Sequence, residues 1–113
     1  MIPCKPGDVV LVHFPFTSLR KSKKRPAVVI SNTAFSSQYG DVAIMALTSV
    51  EQAGDFALDG WESAGLVKPT WIKPLLATIE QTMIEKPLGR LSSKDSSQGW
   101  QGLAADSRWH LLG

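Results

Sequence analysis

Arg25 has the setting of a residue that handles an anion. It closes a run in which five of the six residues from Arg20 to Arg25 are basic: Arg20, Lys21, Lys23, Lys24 and Arg25. It leads directly into Pro26-Ala27-Val28-Val29-Ile30-Ser31. Val28, Val29 and Ile30 are β-branched and stiff at χ1, which suits a pleated, buried surface. Pro26 has no N–H to give a ladder and is expected to be the first residue of that strand. Its ring also drives Arg25 toward an extended backbone. A guanidinium fixed at the mouth of a strand can offer its planar fork of donors to phosphate oxygens. The competing role for Arg25 is a surface salt bridge. His13 is a second candidate: its imidazole titrates near neutrality and can shuttle a proton. It lies at the end of an earlier strand, beside the basic run, although a lone strand histidine is more often structural.

The elements that must position these groups fit in one domain. The chain has 113 residues, 43% hydrophobic and 19% charged, which is ordinary for a globular protein and outside the range of disorder. No apolar run approaches the ~18 residues of a transmembrane helix. The segment from Met1 to Gly7 lacks the apolar region of a signal peptide. Cys4 is the sole cysteine, so no internal disulfide can form and a reducing cytoplasm is expected. It lacks ligand neighbours and reads as a bystander. No zinc spacing, glycine-rich phosphate loop or dinucleotide fingerprint is present. Net charge is +2 but unevenly placed. Residues 1–50 hold six basic residues against Asp8 and Asp41, whereas residues 51–113 hold six against eight acids. One end can therefore attract a polyanion, or simply carry a solvated lysine loop.

Along the chain, Pro6-Gly7-Asp8 is a turn that launches a strand over Val9 to Phe14, apolar on both alternating faces. Pro15 stops it, and Phe16 to Lys24 is a loop too charged to bury. The strand from Ala27 to Ser31 pairs with the first as an antiparallel hairpin. Asn32 to Gly40 is loop or a short helical turn. Val42 to Leu47 is a third strand ending in Thr48-Ser49, and a weak fourth lies near Asp55 to Leu58. Thr70 to Lys73 begins a fifth strand, interrupted at Pro74 by an edge, bulge or bend and resumed from Leu75 to Ile79. Gln81 to Glu85 could form one helical turn ended by Pro87. Ser92-Ser93-Lys94-Asp95 has the form of a capping box. Trp100, Leu103, Ala104 and Leu111 recur at roughly helical spacing, which predicts a C-terminal helix from about Ser93 to Leu112. Gly99 and Gly102 weaken it, each by about 1 kcal/mol against Ala. The expected class is mainly β, a small barrel or coiled sheet with a C-terminal helix packed against it.

Several segments carry a family resemblance. Lys5-Pro6-Gly7-Asp8-Val9-Val10-Leu11-Val12 resembles the opening strand of the MazF/PemK-type toxins. Lys24-Arg25-Pro26-Ala27-Val28-Val29-Ile30-Ser31 resembles their basic loop and following strand, and Leu47-Thr48-Ser49 a later strand end. Gly65 to Thr70 and Thr78-Ile79-Glu80 fit a PemK-like subgroup, and Leu88-Gly89-Arg90-Leu91-Ser92 is similar to the lead into the family's last helix. The match runs through most of the chain with the motifs in order. The resemblance implies an SH3-like small β-barrel of the CcdB/PemK type with a C-terminal α-helix, forming a homodimer. It implies the toxin of a type II toxin–antitoxin system, with a cognate antitoxin as partner. It implies a cofactor-free, metal-independent endoribonuclease that cuts single-stranded RNA, chiefly mRNA, at short sequences.

Metal-independent RNA cleavage uses the neighbouring 2′-hydroxyl as nucleophile. It needs a base, an acid and donors for the crowded phosphate. On the resemblance, Arg25 aligns with the family's catalytic arginine. Thr48 aligns with a threonine whose hydroxyl bonds phosphate, against the alternative of a strand-end cap. Ser49 can assist it, and Arg20, Lys21, Lys23 and Lys24 would attract RNA phosphates. Lys73 marks a departure. Some relatives carry Arg-x-Asp where this chain reads Lys73-Pro74-Leu75. Lysine can hold phosphate charge, but Leu75 cannot act as a base. Glu80 substitutes only if the fold brings it near. The alternatives are a CcdB-like gyrase poison, with Trp109 near the chain end, and a catalytically decayed SH3-like binding module.

Overall fold

The computed structural model describes residues 4–14, 23–32, 34, 38–51, 56–100 and 110–112. The strands are β1 (Asp8–Phe14), β2 (Lys23–Val29), β3 (Asp41–Thr48), β4 (Phe56–Ala57), β5 (Trp71–Glu80), β6 (Ile84–Arg90) and β7 (His110–Leu112). They form one sheet in the order β4-β5-β3-β2-β1-β6, with β7 on β5. All pairings are antiparallel except the last. Ala34, Gln38 and Tyr39 are helical. No helix among the described residues is long and apolar enough to cross a membrane.

Each central strand is buried on both faces, as the unbroken apolar run of β1 requires. Val10, Val12, Ala27, Val29, Val42, Ile44, Ala77 and Ile79 face one cluster. Val9, Val28, Met45, Leu47 and Ile72 face another, with Leu58, Ala64 and Leu91. Full burial of one such valine contributes about 1.5–3 kcal/mol over leaving it exposed. Cys4 lies buried in the first cluster, where desolvation, and secondarily Asp8, pushes its thiol above the usual 9.0. It is therefore a packing residue with little thiolate at neutral pH.

The sheet rolls up on itself around the second cluster. The connection between β4 and β5 lies against β6 at the far end of the strand order. Gly65 there has φ +84°, and a Cβ on it would stand 2.0 Å from the Leu88 carbonyl oxygen. A Cβ on Gly89 would stand 2.4 Å from the Ala64 oxygen. Only glycine permits this approach of two backbones. It seals the roll between opposite ends of the sheet.

Four expectations are corrected by these elements. Pro26 lies inside β2, which begins at Lys23. Ile84–Arg90 is an edge strand rather than a helical turn and a lead-in, the helical part being only the 3-10 turn Gln81–Met83. Pro87 and the charges of β6 are those of an edge strand that blunts further pairing. The C-terminal helix is not regular α-helix: among the described residues an α-turn Ser93–Asp95 runs into a π-turn Ser96–Trp100, and residues 101–109 of the expected span lie outside them. His110–Leu112, expected to be helical, pair in parallel with Leu75–Ala77 of β5, and Trp109 lies outside the described residues. Pro74 does sit in a bulge. Met45 faces Leu76 and Leu47 faces Ile72, so Ala46 alone spans Lys73-Pro74-Leu75.

The capping box is half formed. Ser92 Oγ accepts the Asp95 N–H at 3.1 Å. The Asp95 carboxylate does not return to Ser92. Fully buried, it accepts the N–H of Asp59 at 3.1 Å and of Gly60 at 2.8 Å. One carboxylate thus ties the helical turn to the connection that leads into β5. Replacing Asp95 by Ala should destabilise the fold by about 3 kcal/mol, because two part-buried donors lose a charged, buried acceptor. Breaking the neighbouring exposed pair Lys94–Asp59 by Lys94→Ala should cost under about 1 kcal/mol. Urea midpoints at unchanged m-value check both, and equal small losses would contradict the assignment.

Candidate active site

A polar strand mouth lies where β2 and β3 part. The Ile30 N–H donates to the Ala43 carbonyl at 2.9 Å, and the register continues through Val29↔Ile44, Val28↔Met45 and Ala27↔Ala46. Because strand N–H groups alternate in direction, those of Ile30 and Val28 face β3, and residue 26 is next in that series. It is proline, with no N–H to give. The ladder ends at Ala27. Continued two steps further, the same register would set Arg25 opposite Thr48 across an unladdered gap.

That gap is one end of a cleft of about 380 Å³. Lys24, Arg25 and Pro26 of β2 and Leu47, Thr48, Ser49 and Val50 at the end of β3 line one part of it. Leu66, Val67, Lys68 and Thr70, from the connection before β5, line the rest. Among the described residues Arg25 is exposed and forms no ion pair. Thr48 Oγ1 accepts the Val50 N–H at 3.1 Å, so the expected strand-end cap is present. The cap uses a lone pair of the hydroxyl. Its proton has only a long, 3.5 Å contact to the Val50 carbonyl and can turn toward the cleft. A guanidinium and an oriented hydroxyl at one mouth are the donor set for a tetrahedral oxyanion.

The other sequence candidates are distributed around this cleft. Lys24 and Ser49 line it. Arg20 and Lys21 lie outside the described residues, as does the Lys23 side chain, although Lys23 begins β2. His13 does not line the cleft. It faces Lys24 in the β1–β2 register, and its Nε2 is 3.9 Å from a Glu85 carboxylate oxygen. Lys73 is half-buried in the β5 bulge beside the cleft and forms none of its walls. Leu75 packs against the first apolar cluster. Glu80 pairs with Asp41 at the opposite end of β3 from Thr48. Seven residues of strand separate the two, about 23 Å, so Glu80 is not a substitute base. Lys68 and Val67 were not singled out as site residues, since no local pattern marks a loop lysine whose partner residues are twenty and forty positions away.

Glu85 occupies a bulge of β6, between the pairs Leu11↔Lys86 and Val12↔Ile84, which re-aims its side chain toward Lys24. Lys24 Nζ donates to Glu85 Oε1 at 2.7 Å. This hydrogen bond, followed by the charges of Lys24, His13 and Lys86, holds the Glu85 carboxyl below its ordinary 4.5. Its folded value is depressed, so the pairing is fully present above about 4.5 and is lost as pH falls through the lower folded value. Carboxyl-detected NMR titration should place Glu85 below 4.5, and Lys24→Met should return it upward. An unchanged Glu85 titration in that variant would contradict the pairing.

Comparison with known proteins bears on this geometry. No curated protein matches the chain. Solved structures do match in fold. An endoribonuclease in complex with its cognate antitoxin from a Mycobacterial species superposes with TM-score 0.70 at 15% identity, covering 93% of this chain and 92% of that one. MazF from Deinococcus radiodurans gives 0.66 at 16% identity, covering 87% and 89%. The MazE–MazF structure from the same organism gives 0.69 at 18%, covering 92% and 94%. At these identities the likeness establishes the fold, a small SH3-like β-barrel type with a short C-terminal helix. The family profile that matches residues 5–104 is described as the PemK-like, MazF-like toxin of type II toxin–antitoxin systems. It takes in the whole lining of the cleft together with the strands that set Arg25 against Thr48, and the chain belongs to that family.

Proposed function

We propose that this protein is the toxin of a type II toxin–antitoxin pair and acts as a sequence-specific, metal-independent endoribonuclease on single-stranded RNA, chiefly mRNA. The observation that carries the reading is the Arg25–Thr48 mouth, a paired donor set on a chain of the MazF-like family. Cutting mRNA in the cytoplasm would stop translation and growth. A cognate antitoxin would restrain it, as the related complexes with antitoxin support. Homodimerisation belongs to the same reading.

In this mechanism the 2′-oxygen attacks the adjacent phosphorus and gives up its proton to a base. The 2′-O–P bond forms, the P–O5′ bond breaks, and the leaving 5′-oxygen takes a proton. The products are a 2′,3′-cyclic phosphate and a 5′-hydroxyl. Arg25 neutralises the charge gathering on the equatorial oxygens, and the Thr48 hydroxyl donates to one of them. Both are fixed by strands, so little reorganisation accompanies the reaction. Where some relatives carry an acid–base carboxylate, this chain has Leu75. The nearest replacement in kind is the His13–Glu85 pair, joined to the cleft through Lys24. An imidazole beside a carboxylate is a suitable donor or acceptor for proton transfer.

Purified protein incubated with a long single-stranded RNA in EDTA should give discrete cuts bearing 5′-hydroxyl ends. Arg25→Ala should lower the cleavage rate by about 10²–10³-fold. Cuts of undiminished rate in that variant, or intact RNA with the folded wild-type protein, would overturn the reading.

A further inference from the structure

The connection before β5 brings to the lining of the cleft a cation that the mechanism does not use. Lys68 is exposed, and among the described residues it forms no ion pair. By contrast, Lys24, which also lines the cleft, and Arg90 and Lys94 are each matched to a carboxylate, Glu85, Asp8 and Asp59. Lys68 is also held in place. The Thr70 hydroxyl donates to the Lys68 carbonyl at 2.9 Å, and the Thr70 carbonyl accepts the Leu58 N–H at 3.0 Å. Upstream, the same connection is fastened by Asp95 and by the close contact of Gly65 with Leu88. The backbone that presents Lys68 is therefore as fixed as the strands that carry Arg25 and Thr48.

Two apolar side chains flank this cation. Three large hydrophobic residues are exposed among the described residues, and two of them line this one cleft: Val67, 90% exposed, and Val50, 64% exposed. The cleft's volume, about 380 Å³, falls within the ~300–1,000 Å³ typical of sites that enclose a small molecule, which is more room than one phosphate needs. Its lining combines the cations Arg25 and Lys68 with aliphatic surface, as a single strand combines phosphates with bases.

We propose that Lys68, Val50 and Val67 form a second nucleotide subsite. Lys68 takes the phosphate next to the one held by Arg25 and Thr48, and the two valines take the face of the intervening base. The subsite rests on the ribonuclease reading and adds to it the residues that position the strand. The lysine contributes equally for every sequence, and the valine lips favour a base that leaves its stack easily.

The test is binding of a random-sequence 2′-O-methyl RNA dodecamer, which cannot be cut, across a series of salt concentrations. Lys68→Ala should weaken binding about 3–10-fold at low salt and reduce the slope of log affinity against log salt by about 0.7, the value of one single-strand phosphate contact. Lys68→Arg should keep the slope. Val67→Ser should weaken binding with the slope unchanged, since no charge is lost. All three positions are exposed, so the fold is preserved. Wild-type binding that Lys68→Ala leaves unaltered in strength and slope would overturn the subsite while leaving the ribonuclease reading intact. If that variant instead lost affinity for the cognate antitoxin alone, the surface would belong to a protein partner and the subsite would fall. A wild-type protein that binds no RNA would remove both.

Discussion

The cleft exists because β2 stops pairing with β3 at one residue. The even-numbered N–H groups of β2 point at β3, and at position 26 that donor is missing. A residue with an N–H there would extend the ladder to Leu47 and draw the strand mouths together. Proline ends it, yet keeps Arg25 extended and in register. The register itself is pinned from both faces, because Ala27 and Val29 pack into one cluster and Val28 into the other. A one-residue slip would move every one of these side chains to the wrong face and carry Arg25 away from Thr48. The geometry of the mouth thus follows from core packing several residues away.

The rest of the cleft's lining has a different origin. It is irregular backbone, and irregular backbone must be held by specific bonds rather than by a ladder. Asp95 supplies one hold by giving its buried carboxylate to two N–H groups of the turn at Asp59 and Gly60. Gly65 and Gly89 supply another by letting two chains approach closer than any Cβ allows. The same contacts close the sheet on itself, so rolling up the barrel and completing the lining of the cleft are one event. Fold stability and the position of Lys68 are coupled through Asp95.

The parts of this architecture legible in the sequence are those set by local chemistry. The apolar runs of β1, β2 and β3 could be read directly, as could the basic residues leading to Arg25, while Pro74 marked an interruption without deciding between edge, bulge and bend. What could not be read depends on partners distant in sequence. β6 is an edge strand with Pro87 and several charges, so no apolar alternation betrays it. β7 is three residues made a strand only by lying beside Leu75–Ala77, against a helical spacing that pointed elsewhere. Asp95 fits a capping box in sequence, but its carboxylate is claimed by residues 35 and 36 positions earlier. The reach of Glu80 was a question of strand direction, and antiparallel pairing sends it to the far end of β3. No local pattern sets Lys68 apart, and only the fold brings it into the lining of the same cleft as Arg25.

The central claim is that Arg25 and Thr48 hold one phosphate together, and a double-mutant cycle measures that jointness. Affinity for an uncleavable 2′-O-methyl RNA would be compared for the wild type, Arg25→Ala, Thr48→Val and the double variant. Two groups on a shared phosphate should be coupled by about 0.5–3 kcal/mol, with the double variant losing less than the sum of the single losses. Losses that add to within about 0.3 kcal/mol would mean that the two side chains act independently, and would contradict the account.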